Sequence, residues 1–150
     1  AQERGKRAGT ENVPGIMGLA AALKEACDHI DENAAKVSAL RDQLIAGLSQ
    51  IPHSALNGDP VHRLPGNVNF CFEGIEGESL LLLLDPSHVL LAIGRPHEVA
   101  HGSLRLSLCE WNTQVDVDHI LKEVPRIVAY LRSISPVWKD LASGKKQFML

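Results

Sequence analysis

The chain has 150 residues, 45% of them hydrophobic, with 15 Lys or Arg against 18 Asp or Glu and a formal net charge of -3. That is enough apolar chain for one ordinary core, and so mild a charge gives no electrostatic footprint for nucleic acid or an anionic membrane. Cys27, Cys71 and Cys109 are too few and too widely spaced for a disulfide framework or a thiolate metal site, and no apolar run reaches the length of a membrane span. A reducing cytoplasm, no metal and no membrane are expected.

The sequence opens AQERG, without methionine and with charged, glycine-rich residues where a folded domain rarely starts, and it reads as a piece of something longer. Arg4, Lys6 and Arg7 lie among Gly5 and Gly9, and Thr10, Glu11 and Asn12 then precede Pro14. Threonine or asparagine suits a helix cap and proline a first turn, while Ile16, Leu19, Ala20 and Leu23 recur at helical spacing, predicting a helix to about Cys27. Basic residues and a hydroxyl before a helix amino end offer donors and positive potential to a phosphate. A solvated basic loop gives the same pattern, and neither GxxxxGK[ST] nor GxGxxG is present.

Ile30, Ala34, Val37, Leu40, Leu44 and Leu48 step by three and four, predicting an amphipathic helix that ends before Pro52. A short strand over Ser54–Leu56 is followed by a turn at Asn57-Gly58-Asp59-Pro60. Asn67–Glu73 alternates, with Val68, Phe70 and Phe72 facing inward and Cys71 opposite them beside Asn67 and Asn69, the place of an inert packed thiol. Glu78–Leu84 and Ser87–Ile93 read as two short helices that abut at Asp85-Pro86 without a loop of ordinary length, so chain is expected to be missing between 85 and 86.

His101–Cys109, HGSLRLSLC, alternates strictly: Leu104, Leu106 and Leu108 share one strand face, and Ser103, Arg105 and Ser107 the other. Arg105 projects between two small serines with no acidic residue beside it on that face, and its planar fork of donors suits a carboxylate. A surface arginine paired with a carboxylate elsewhere in the chain fits the same pattern. His101 reads as a structural residue without an assigned role. Thr113 and Asp116 form a capping pattern for a helix whose stripe is Val117, Ile120, Leu121, Val124, Val128 and Leu131, with Pro125 expected to kink it or interrupt one backbone bond. Ser135-Pro136 opens a last short helix carrying Trp138 and Leu141, and the tail beyond Gly144 is expected to fray. The fold class is α+β: a small antiparallel sheet of about three strands covered by helices, preceded by a separate helix.

The segments QERGKRAGTENVPGIMGL, LNGDP, LPGNVNF, EGESLLLLL, DPSHVLLAIG, AHGSLRLSL and SPVW occur in the order found in the carboxy-terminal part of NifS/IscS-type cysteine desulfurases, which the chain resembles over essentially its whole length. That resemblance implies a homodimeric fold-type I enzyme of the class V aminotransferase family. Such an enzyme uses pyridoxal 5'-phosphate to convert L-cysteine to L-alanine and passes persulfide sulfur to iron-sulfur scaffold proteins. By the same resemblance Arg105 binds the substrate carboxylate, Thr10 reaches the phosphate of the partner subunit's cofactor, residues 1–29 belong to the large domain and dimer surface, and residues 30–150 form the small C-terminal domain.

The family's mobile loop SSGSACTSGS, which carries the persulfide cysteine, would stand between Asp85 and Pro86, where this sequence has nothing. The Schiff-base lysine and the residues that tune the cofactor ring belong to the family's larger amino-terminal part. No catalytic residue is therefore assigned in this chain, and none of Cys27, Cys71 and Cys109 occupies the loop motif. Two readings follow: the C-terminal portion of a working cysteine desulfurase, or a folded module that is catalytically silent alone. A selenocysteine lyase or another class V relative is the alternative within the enzyme class.

Overall fold

The computed structural model of the chain describes residues 9–75 and 102–150. The expectations for Glu78–Leu84, Asp85-Pro86, Ser87–Ile93, His101 and the basic residues before Gly9 lie outside them. The described elements are α1 (Val13–Asp28), α2 (Ile30–Leu48), β1 (Ser54–Leu56), β2 (Asn67–Phe72), β3 (Ser103–Ser107), α3 (Gln114–Ile134) and α4 (Pro136–Ala142). They fall into two compact units, Ala1–Asn33 and Ala34–Leu150.

In the first unit, α1 starts as its sequence dictates. Asn12 is the cap, its Oδ1 accepting from the Gly15 N–H at 3.1 Å, and Pro14 occupies the first turn, where its missing donor costs nothing. The helix buries none of its residues, so Ile16, Leu19 and Leu23 form an apolar stripe without a core.

In the second unit, β1, β2 and β3 form an antiparallel meander in that order. Val68, Phe70 and Phe72 point to one side of β2 and are fully buried against Leu40, Leu44 and Leu48 of α2 and Val117, Val128 and Leu131 of α3. Leu104, Leu106 and Leu108 pack on the margin of the same core, half-buried. Period-two alternation in the strands and the three-to-four spacing in the helices thus bury the same apolar set.

Both ends of the β2–β3 ladder rest on a glycine. The Leu108 N–H donates to the Gly66 carbonyl and the Phe72 N–H to the Gly102 carbonyl, each at 2.8 Å. A Cβ on Gly66 would overlap the Leu108 carbonyl oxygen, and one on Gly102 the Phe72 carbonyl oxygen, so only glycine permits the approach. The β1–β2 loop is clamped by Arg63, whose Nε and Nη2 donate to the carbonyls of Asp59 and Asn57 at 2.8 and 2.6 Å. Within it the Asp59 carboxylate accepts from the backbone N–H groups of His62 and Val61, both at 2.7 Å, and these bonds hold its carboxyl below the usual aspartate range.

The capping pattern at α3 is present: Asp116 Oδ2 accepts from the Thr113 N–H at 2.8 Å, the main reason its own carboxyl is held low. Pro125 lies inside a helix that continues through it to Ile134, because Val128 and Leu131 beyond it are anchored in the core. Ser135 ends α3 and caps α4, its N–H donating to the Leu131 carbonyl and its Oγ accepting from the Trp138 N–H.

The tail differs from expectation. Rather than fraying, it docks: the N–H groups of Met149 and Leu150 donate to the two carboxylate oxygens of Glu73 at 2.7 and 3.2 Å, and Phe148 stacks on His53 with ring centroids 3.7 Å apart. Glu73 is buried, and a buried carboxylate needs donors. Arg132, also buried, ties the region together, donating to the carbonyls of Glu73 and His53 at 3.1 Å each and lying over the Trp138 ring.

Candidate functional site

The side of the sheet away from the core carries the candidate site. On β2 it presents Asn67, Asn69 and Cys71, and on β3 Ser107, Arg105 and Ser103, paired in that order across the ladder. Arg105 is exposed, at the middle of β3, and its guanidinium makes no hydrogen bond or ion pair among the described residues. The alternative of a surface arginine paired with a carboxylate elsewhere thus finds no such carboxylate there. A charged fork of donors held on a paired strand, exposed and without a countercharge among the described residues, is chemically suited to receive an anion.

Directly opposite Arg105 stands Asn69, a spacing that brings Cβ atoms within about 5 Å. Asn69 is itself held. The buried Asn57, just past the end of β1, donates from Nδ2 to Asn69 Oδ1 at 3.1 Å and to Cys71 Sγ at 3.1 Å, while its backbone N–H donates to the Asn69 carbonyl at 2.8 Å. Asn57 Oδ1 and the Oγ of the buried Ser103 have no partner among the described residues. A buried acceptor left without any donor costs ~1–3 kcal/mol. Cys71 is buried as expected of a packed thiol, whereas Cys27 and Cys109 are exposed.

Thr10 belongs to the first unit. It is exposed, follows Gly9 in the left-handed region (φ +99°) and precedes α1. Asn12 performs the capping that threonine or asparagine was expected to share, and the Thr10 hydroxyl makes no hydrogen bond among the described residues. A spare hydroxyl beside a helix amino end has the chemistry to contact a phosphate oxygen. Arg105 and Thr10 lie in different units, and each is placed only within its own.

Sequence reasoning singled out Arg105 and Thr10 and missed the pair Asn57 and Asn69. Asn69 alternates with the phenylalanines, which placed it on the outer face, but nothing local to it announces Asn57 as its partner. Among the described residues no group of three or more His, Cys, Asp or Glu side chains could hold a metal, and no helix is long and apolar enough to cross a membrane.

The IscS cysteine desulfurase of Methanosarcina thermophila is 53% identical over 155 residues, covering 91% of this chain and 38% of that protein. The IscS cysteine desulfurase of Clostridium botulinum is 48% identical over 167 residues, covering 97% of this chain and 42% of that protein. The chain thus spans about two fifths of the length of these curated relatives. Because the second alignment runs over 167 residues and this chain has 150, at least 17 residues of that relative have no counterpart here. Among solved structures a NifS-like protein superposes with a TM-score of 0.75 at 37% identity, covering 87% of this chain and 37% of that one. The class-V aminotransferase description matches residues 1–120, four fifths of the sequence, and the chain is therefore a member of the class-V aminotransferase family.

Proposed function

We propose that this chain is the C-terminal portion of a pyridoxal phosphate-dependent cysteine desulfurase, and that within it Arg105 binds the carboxylate of L-cysteine. The observation that carries the reading is Arg105 itself: exposed, unpaired among the described residues and fixed on a strand, in a chain of this family. Gripping the carboxylate fixes two points of the amino acid and so orients its amino group and sulfur, which converts a diffusive encounter into a positioned one. Thr10 fits as a phosphate contact, since its hydroxyl makes no hydrogen bond among the described residues and the cap of α1 is already supplied by Asn12. When bound, the cofactor supplies the electron sink for chemistry at the carbon next to the substrate's amino group. No residue of this chain is assigned a catalytic step.

In this reading residues 1–29 belong to a large domain and dimer surface, and residues 30–150 to a small domain. The loop bearing the sulfur-accepting cysteine accounts for residues of the relatives that have no counterpart here, at the Asp85/Pro86 junction. The protein acts as a homodimer in the cytoplasm and hands sulfur, as a persulfide, to an iron-sulfur scaffold protein. By itself the chain offers binding groups without the reacting ones. Once free pyridoxal phosphate has been removed, the purified chain is expected to retain no cofactor absorbance and to release no sulfide from L-cysteine. In the complete enzyme, Arg105→Ala is expected to raise KM for cysteine roughly a hundredfold, the scale of losing a charged bidentate contact, with cofactor absorbance retained. Unchanged steady-state kinetics would overturn the assignment.

A further inference from the structure

We infer that Asn69 is a second carboxylate donor beside Arg105 and sets the specificity of that site, with Asn57 as the residue that positions it. The inference rests on the proposed role of Arg105 and extends it to residues across the sheet.

Asn69 is the cross-strand partner of Arg105, so the two side chains leave the same face side by side. A side-chain amide has one acceptor end and one donor end. The acceptor end of Asn69 is occupied, because its Oδ1 takes the hydrogen bond from Asn57 Nδ2 at 3.1 Å. The donor end, Nδ2, has no partner among the described residues. Asn57 is 5% exposed and is held at its backbone as well, its N–H donating to the Asn69 carbonyl and its carbonyl accepting from Arg63 Nη2. It keeps this place although its own Oδ1 goes unpaired among the described residues. The outcome is an NH2 group fixed by a buried neighbour, half-buried itself, and standing next to a guanidinium that is unpaired among the described residues.

The chemistry of that pair is selective. Each carboxylate oxygen accepts more than one hydrogen bond, so a fork from Arg105 and a donor from Asn69 can serve one carboxylate together. One positive charge plus one neutral donor matches a monoanion. A second cation in place of Asn69 would favour dianions such as phosphate esters, and an acid there would pair with Arg105 and close the site. The ligand class that fits the pair is therefore a monoanionic carboxylate.

The test is a titration of the isotope-labelled chain with L-cysteine under reducing conditions, following the side-chain resonances of Arg105 Nε–H and Asn69 Nδ2. L-cysteine methyl ester, which lacks the carboxylate, serves as the control ligand. Both resonances are expected to move with L-cysteine and neither with the ester. Asn69→Leu should weaken binding about tenfold, the loss expected for one hydrogen bond to a charged group. Asn69→Ser, which keeps a short donor, should recover part of that loss, and Asn57→Ala should weaken binding by a smaller factor while the Arg105 resonance still responds. If Arg105 responds but Asn69→Leu and Asn69→Ser both bind like the unsubstituted chain, the role of Asn69 is overturned and that of Arg105 stands. If Arg105 itself does not respond, both fall. Should Asn69→Leu fail to fold, full affinity in Asn69→Ser and Asn57→Ala together overturns the inference.

Discussion

The two faces of the three-stranded sheet are built from alternate residues of the same strands and do opposite work. On β2, Val68, Phe70 and Phe72 are buried in the main core, while Asn67, Asn69 and Cys71 alternate with them on the layer that includes Arg105. The inner face is apolar apart from Ser54 of β1, whose Oγ donates to the Leu48 carbonyl at 3.2 Å. The outer face leaves a guanidinium unpaired and buried polar atoms of Asn57 and Ser103 without partners among the described residues. With the proposed role of Arg105, stability and recognition would be interleaved one residue apart, and a strand could lose either without losing the other.

Substitutions that act on one face alone can break that comparison. The largest effect is expected at Phe70→Ala, which empties a fully buried site beside Leu44 and Val68 and should cost ~3–5 kcal/mol, read as a lowered urea midpoint at unchanged slope. A loss below about 1 kcal/mol would mean the inner face is not the stabilising one.

A smaller effect belongs to acid. The carboxyls of Asp59 and Asp116 are held low mainly by backbone N–H donors, so the folded chain takes up their protons at lower pH than the unfolded chain does. Their contribution is complete above the ordinary aspartate range and is lost as pH falls through it toward the folded values. Asp59→Asn and Asp116→Asn should each flatten the dependence of the urea midpoint on pH in that acid window. An unaltered dependence in both would remove these turns from the account of acid sensitivity.

The smallest change in stability is expected at Arg105→Ala. An exposed side chain with no partner among the described residues should leave stability within ~0.5 kcal/mol, even though the same substitution is expected to damage substrate binding in the complete enzyme. A large loss of stability there would instead make Arg105 a structural residue.

Much of the inner face could be read in the sequence because its signal is local. Val68, Phe70 and Phe72 alternate, Leu40, Leu44 and Leu48 step by one helical turn, and Thr113 with Asp116 forms a cap within four residues. Arg105 was legible for the same reason, as the odd residue in an alternating run. The hydrogen bond from Asn57 to Asn69 depends on the register in which β1 meets β2, and the LNGDP stretch reads simply as a turn. The docked tail was illegible on similar grounds: Glu73 and Met149 are joined by a carboxylate and a backbone N–H 76 positions apart, which leaves no periodic trace. Nothing local to Arg63 announces that the backbone carbonyls of Asn57, Asp59 and Asn67 converge on it.

The packing around Arg132 also gives the chain a built-in optical signal. Trp138 lies with the guanidinium 4.2 Å above its ring and with His53 and Phe148 edge-on to it, whereas Trp111 is 82% exposed. Native fluorescence is therefore the sum of a water-exposed indole and a shielded one, and it starts partly red-shifted even when every molecule is folded. Release of the tail removes Phe148 from the shielded indole and leaves the other untouched. A change confined to the blue side of the emission would then report the tail leaving Glu73, before any strand of the sheet has come apart.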